Sequence, residues 1–141
     1  YNPSQISERS KRFMRQIIQQ LLQPKYCQPL FYIVLFVCSF GFMKDVSGIP
    51  STWMPNDKVM HHLIFLALML LWQASYPKKT VLGTLLLVIY GGAVEKAQAT
   101  FTNRMGDWWD WAADNSGILL GLLLWKLLIT PYFATESKLT K

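Results

Sequence analysis

Charged residues are scarce in this sequence. They make up 16% of its 141 residues, while hydrophobic residues reach 52%; an average soluble domain is about 25% charged. The deficit excludes a polar disordered chain, and a soluble core of this size cannot hide so much apolar side chain. Cysteine is nearly absent: Cys27 and Cys38 are too few for a disulfide framework or a zinc ribbon. There is no glycine-rich phosphate loop, no nucleophile elbow and no zinc-protease helix motif. Ser116 has no evident His–Asp relay beside it in the sequence. Internal repeats and low-complexity tracts are also missing. The length suits one domain.

What the chain has instead is uncharged runs. Residues 26–43 carry no charge between Lys25 and Lys44, and residues 59–77 none apart from His61 and His62. Residues 80–94 form a third run, which reaches bilayer length if Glu95 to Gln98 are its last turn. The fourth, around 115–125, reaches it if it extends from about Asp110 to Ile129. A bilayer core needs about 20 mostly apolar residues per helix, and apolar runs this long favour lipid over a soluble core. The expectation is an all-α integral membrane four-helix bundle, with short connections that make neighbouring helices antiparallel.

The net charge of +6 would suit a nucleic-acid binder if it were spread, but it is not. With the N-terminus, the 75–79 turn and the C-terminus on one side, that side holds Arg9, Lys11, Arg12, Arg15, Lys25, Lys78, Lys79, Lys126, Lys138 and Lys141 against Glu8 and Glu136, a net +8. The other holds Lys44, Lys58, Lys96 and Arg104 against Asp45, Asp57, Glu95, Asp107, Asp110 and Asp114, a net −2. Lys and Arg concentrate on cytoplasmic loops, so both termini are expected in the cytoplasm. The basic excess then belongs to topology and anionic lipid, and no nucleic-acid partner is expected.

Residues 5–23 have the pattern of an amphipathic helix. Ile6, Phe13, Ile17 and Leu21 fall on one face, with Met14, Ile18 and Leu22 beside them and the basic residues mostly opposite. Such a helix lies in the membrane interface; no small-residue cleavage site follows a short apolar run, so it is not read as a signal peptide. The expected organisation is a cytoplasmic amphipathic segment over 1–25, the four-span domain over 26–130 and a cytoplasmic tail over 131–141. Cys27 and Cys38 read as packing residues.

Ionisable groups inside a membrane are costly and each needs a reason. Here they gather at one expected depth. Asp57 and His61 are four apart and share a helical face, as do Lys58 and His62. Glu95 and Gln98 close the third span, Arg104 follows in the loop, and Asp107, Asp110 and Asp114 run at spacings of three and four into Gly117 and Gly121. Candidate ligand-binding residues are therefore Asp57, Lys58, His61, Glu95, Gln98, Arg104, Asp107, Asp110 and Asp114. Candidates for catalysis are His61, Glu95 and Asp110.

Four readings of the cluster stand side by side. An interhelical lock would pair Arg104 with Asp107 or Asp110, and His61 with Glu95 or Asp57. A lipid-phosphate site would use Arg104, Lys58 and His61 as donors, with some of the nearby acids paired to those cations or to a metal. Acid–base catalysis would use Glu95 or Asp110 as base and His61 as proton carrier. A divalent metal would take Glu95, Asp107, Asp110 and Asp114, with His61. His62 is read as facing headgroups or another helix. Gly117 and Gly121, extended by Ala113, read as close helix packing. Gly91 and Gly92 let a neighbouring helix or a headgroup approach. Trp108, Trp109 and Trp111, with Trp53, read as an outer aromatic belt, and Trp72 and Trp125 as an inner one.

The same residues resemble a known family. Asp57-Lys58-Val59-Met60-His61, with Phe65 four positions on, is similar to the first signature of the VanZ-like membrane proteins. Glu95-Lys96-Ala97-Gln98 with Phe101 and Arg104 is similar to the second. Asp107, Asp110, Asp114, Gly117 and Gly121 are similar to the third, although the family often has asparagine where Asp114 stands. The resemblance covers about residues 30–128. It implies a small multi-pass bacterial cell-envelope protein. The family's namesake is linked to resistance to teicoplanin-type glycopeptides, which act on cell-wall precursors at the outer face. The resemblance supplies that context and no reaction. The expected ligand is a phosphate-bearing lipid or polyprenyl-linked cell-wall precursor bound at the extracytoplasmic leaflet. A membrane-embedded phosphohydrolase or transferase, and a non-catalytic structural or partner-binding protein, are the alternatives.

Overall fold

Each of the four uncharged runs is a helix. The structure is a computed structural model that describes residues 3–43, 56–102 and 107–131. Among the described residues the elements are α1 (Pro3–Leu21), α2 (Pro24–Met43), α3 (Asp57–Ser75), α4 (Thr80–Phe101) and α5 (Trp108–Leu124), which runs on through a π-helical stretch at Trp125–Ile129.

Local chemistry sets the ends. Pro24 opens α2 where its missing N–H is not needed, and it bars Gln23 from helical geometry. The amphipathic helix therefore ends at Leu21, two residues before the expected limit. Asn56 caps α3, accepting from the Lys58 N–H at 3.0 Å. Pro77 follows the end of α3 by two residues. Asp107 caps α5, accepting from the Trp109 N–H at 2.9 Å, and so starts that helix at Trp108 instead of Asp110. The third span continues to Phe101, beyond the expected close at Gln98.

Side-chain bonds tie the helices together at both ends. At one end Gln28 Nε2 donates to the Ser75 carbonyl at 3.2 Å, Tyr32 and Tyr76 hydroxyls meet at 3.0 Å, and Thr80 donates to Gln73 Oε1 at 2.9 Å. At the other end the C-terminal turns of α2 and α4 meet the N-terminal turns of α3 and α5, and the candidate site lies there. Consecutive spans are therefore antiparallel. The core between the ends is built on α3, with Phe65, Leu68 and Met69 fully enclosed together with Ile118 of α5.

α3 packs most extensively on α5, and glycine explains how closely. A Cβ on Gly117 would run into the His62 carbonyl oxygen, and one on Gly121 would stand 2.9 Å from the Met69 Cβ. The small-residue pattern read from the sequence does bring two backbones together. Trp72 departs from its expected place in an inner belt. It is buried, its Nε1 donates to the Lys79 carbonyl at 3.0 Å, and its ring fills the space above Gly83.

The outward faces are apolar. Ile33, Phe36, Val37 and Phe40 on α2, Val81, Leu85 and Ile89 on α4, and Leu119, Leu123 and Leu127 on α5 are all exposed. Contiguous apolar surface of this kind needs a partner other than water. α2, α3, α4 and the α5 rod Trp108–Ile129 are each long and apolar enough to cross a membrane. This is the architecture of an integral membrane protein. α1 makes no extensive contact with the rest and leaves Ile6, Phe13, Met14 and Leu21 uncovered.

Candidate functional site

The first two turns of α3 and of α5 run side by side, and both carry acids where a helix N-terminus favours them. Between them Lys58 forms a clamp. Its ammonium bonds Asp107 at 2.5 Å and Asp110 at 2.9 Å. The interhelical-lock reading pairs one of these acids with Arg104, which lies outside the described residues. Lys58 is half-exposed and Asp110 buried, so the clamp closes the site toward the surface. Asp107 also accepts from Trp109 and donates its backbone N–H to Glu95 Oε2 at 3.2 Å. The Lys58 ammonium and the Trp109 N–H hold the Asp107 carboxyl below the usual carboxylate range.

One turn deeper the site changes character. His61 is 1% exposed and Asp114 is fully buried. His61 Nδ1 meets Asp114 Oδ1 at 2.8 Å and lies 3.9 Å from Glu95 Oε1. The interhelical-lock reading pairs His61 with Glu95 or Asp57; Asp114 is the direct partner and Glu95 the second neighbour. The Phe42 ring packs on the imidazole at a centroid distance of 4.6 Å, and Phe65 lies one turn below on α3. Gly91 makes room for the deep carboxylate: a Cβ there would stand 2.7 Å from Asp114 Oδ2. Among the described residues three buried polar atoms here have no hydrogen-bond partner, His61 Nε2, Glu95 Oε1 and Asp114 Oδ2.

Other candidates turn elsewhere. Gln98 donates to the Phe42 carbonyl at 2.9 Å, satisfying an end carbonyl of α2, so its amide serves the α2–α4 contact. His62 faces α5, its Nδ1 2.7 Å from Ser116 Oγ, and Ser116 also donates to the Ala113 carbonyl. A Ser–His contact therefore exists that the sequence did not reveal, but among the described residues no carboxylate pairs with His62. Asp57 stands on the site face of α3, close enough to group with His61 and Asp110.

A lateral groove of about 620 Å³ runs between α4 and α5. Val88, Ile89, Gly92, Ala99, Trp108 and Trp111 make its apolar lining, Lys96 stands at its edge, and its polar wall is Glu95 and Asp107. The groove thus leads from the apolar outer surface to the rim of the buried cluster. Trp111 holds one side by donating Nε1 to the Val88 carbonyl at 3.2 Å. The close approach at Gly91 agrees with its sequence reading, but sequence pattern showed neither this opening nor the Lys58 clamp, because both depend on how the helices are rotated against each other.

In comparisons with protein-family models, curated proteins and solved structures, nothing matches the chain.

Proposed function

We propose that this is a multi-pass cell-envelope membrane protein that takes the phosphate headgroup of an outer-leaflet lipid into the cluster around Glu95, with the lipid's apolar chain lying in the groove between α4 and α5. The observation that carries the reading is the groove itself. It is apolar over most of its lining, open to the side and polar at one end, where Lys96 stands beside Glu95 and Asp107, which suits a single-chain lipid whose charged head meets Lys96. Lys96 in its lining supplies a donor for the anion, and Lys58, held by Asp107 and Asp110, offsets the charge of the acids at its head. A polyprenyl-linked cell-wall precursor has this chemistry, and the resemblance to the VanZ-like family supports the envelope context.

The positive-inside asymmetry supports the orientation, with the site at the extracytoplasmic end and both termini in the cytoplasm. α1 would then lie in the cytoplasmic interface, its uncovered apolar face in the acyl region and its Lys and Arg residues among anionic headgroups. A second reading is favoured by one contact: the His61–Asp114 pair beside Glu95 has the reach for proton transfer, which would make the protein a phosphohydrolase or transferase on the same lipid.

Filling the groove tests the reading. Gly92 lines the groove, and a Cβ there meets only the Trp111 ring, at 3.5 Å, so the branch of Gly92→Leu is directed at groove space beside Trp111 and away from backbone. Farnesyl phosphate binding to protein in detergent should weaken at least about tenfold, or ~1.4 kcal/mol, with the thermal unfolding midpoint held. Unchanged binding in Gly92→Leu would remove the groove from the mechanism. Hydrolysis or transfer by the wild type that is lost in Glu95→Gln would establish the enzyme.

A further inference from the structure

We propose that His61, Glu95 and Asp114 hold a divalent first-row transition cation. The cluster around them is strongly unbalanced. Among the described residues Glu95, Asp107, Asp110 and Asp114 gather around Lys58 and His61, and Lys58 is already shared by Asp107 and Asp110. That removes two of the acids the sequence offered to a metal and leaves the deep trio. One imidazole nitrogen and two carboxylates, from three different helices, place a ligand atom each within 4.8 Å of one another.

The unpartnered atoms point to a ligand. A finished interhelical lock would satisfy its buried groups, since each one left open costs about 1–3 kcal/mol. Among the described residues Asp114, fully buried, keeps Oδ2 unpartnered and Glu95 Oε1 beside it is a second such atom, while His61 turns Nδ1 toward both carboxylates and its open Nε2 away from them. Asp114 Oδ2 faces the gap that Gly91 leaves on α4, one turn from Glu95 on the same helix. The acceptor-rich pocket is therefore built into the α4–α5 contact.

The distances suit a small cation. Donors at about 2.0–2.1 Å from a tetrahedral ion stand roughly 3.3 Å apart. The His61 Nδ1–Asp114 Oδ1 separation of 2.8 Å is below that and the His61 Nδ1–Glu95 Oε1 separation of 3.9 Å above it. Seating the ion shifts each contact by about half an ångström in opposite senses, within reach of small side-chain rotations. The ion takes the place of the proton between His61 and Asp114. An imidazole with two carboxylates suits Zn²⁺ or Mn²⁺ better than Ca²⁺. Three protein ligands leave a coordination position open, as in catalytic sites. A phosphate oxygen arriving through the groove could fill it; that use of the ion rests on the lipid reading, whereas the ion site does not.

The test uses the purified full chain in detergent, stripped with EDTA and titrated with ZnCl₂, MnCl₂ and, as a visible-absorption probe, CoCl₂. The expected result is saturable uptake of one ion per chain, a d–d band from bound Co²⁺, and affinity at least about tenfold weaker in Glu95→Gln and Asp114→Asn but unchanged in Glu8→Gln on α1. Should Asp114→Asn fail to fold, Glu95→Gln carries the test, because it leaves the His61–Asp114 contact in place. No saturable uptake by the wild type, or equal uptake by Glu95→Gln, overturns the site. Farnesyl phosphate binding measured with and without EDTA separates the two proposals: lipid binding without metal uptake sinks the ion alone, and metal uptake without lipid binding sinks the lipid alone.

Discussion

Asp107 bonds in three directions. It caps α5, holds the Lys58 ammonium and anchors Glu95 through its backbone N–H. Only the second of these needs its charge. Asn is as good a cap as Asp, so Asp107→Asn isolates the ionic contact. The Asp107 carboxyl is held low by the Lys58 hydrogen bond. A group depressed on folding adds stability that is complete above its unfolded value, about 4, and is lost as pH falls through its folded one. Thermal unfolding of both proteins in detergent from pH 7 to pH 3 should show wild type ahead of Asp107→Asn at neutral pH. The gap should close as the pH drops below about 4. A gap of constant size would mean that the Lys58 contact contributes nothing to the fold. The residue scale is also where the sequence was least informative. Spacing put Asp107, Asp110 and Asp114 on one face, yet it could not say that Lys58 takes the first two while His61 takes the third.

At the scale of elements the sequence was far more legible. Four uncharged runs became four helices, and their ends moved where a cap or a proline overruled hydropathy, at Asp107 and Pro24, and at Phe101, where α4 runs on past Gln98. Hydropathy fixes length and depth because lipid acts on the whole helix. It does not fix the rotation of one helix against the next, and the groove, the His62–Ser116 contact and the burial of Trp72 all follow from rotation. Glycine carries part of that information. The Gly117-x-x-x-Gly121 spacing announced a close contact, and the structure supplies its partner in the α3 backbone around His62 and Leu66. Alanine at three glycines should therefore have three different effects. Gly117→Ala meets backbone, which cannot yield, and should destabilise by about 1–3 kcal/mol or more. Gly91→Ala meets the Asp114 carboxylate, which can rotate, and should lose less stability than Gly117→Ala while disturbing the deep site. Gly41→Ala meets nothing within 4 Å and should be neutral or slightly stabilising through helix propensity. Equal losses at Gly41 and Gly117 in thermal unfolding would mean that α3 and α5 are not held at this separation.

For the whole molecule, the decisive property is which end of the bundle faces out. The fold places His61, Glu95, Asp107 and Asp114 at one end and the Ser75–Thr80 turn with Lys78 and Lys79 at the other. The lipid proposal needs the acidic end to meet the outer leaflet if a cell-wall precursor is the ligand, since the same groove on the cytoplasmic side would meet a different set of lipids. Charge asymmetry argues for the acidic end outside, and single cysteines can read it directly. With Cys27 and Cys38 replaced by alanine, Thr100→Cys near the end of α4 and Lys78→Cys in the α3–α4 turn both put a thiol on an exposed position. A membrane-impermeant maleimide added to intact cells should label Thr100→Cys and spare Lys78→Cys until the membrane is opened. The reverse pattern would turn the protein over and move the groove, with any ion in it, to the cytoplasmic leaflet. The lipid would then have to be sought among those displayed inside the cell.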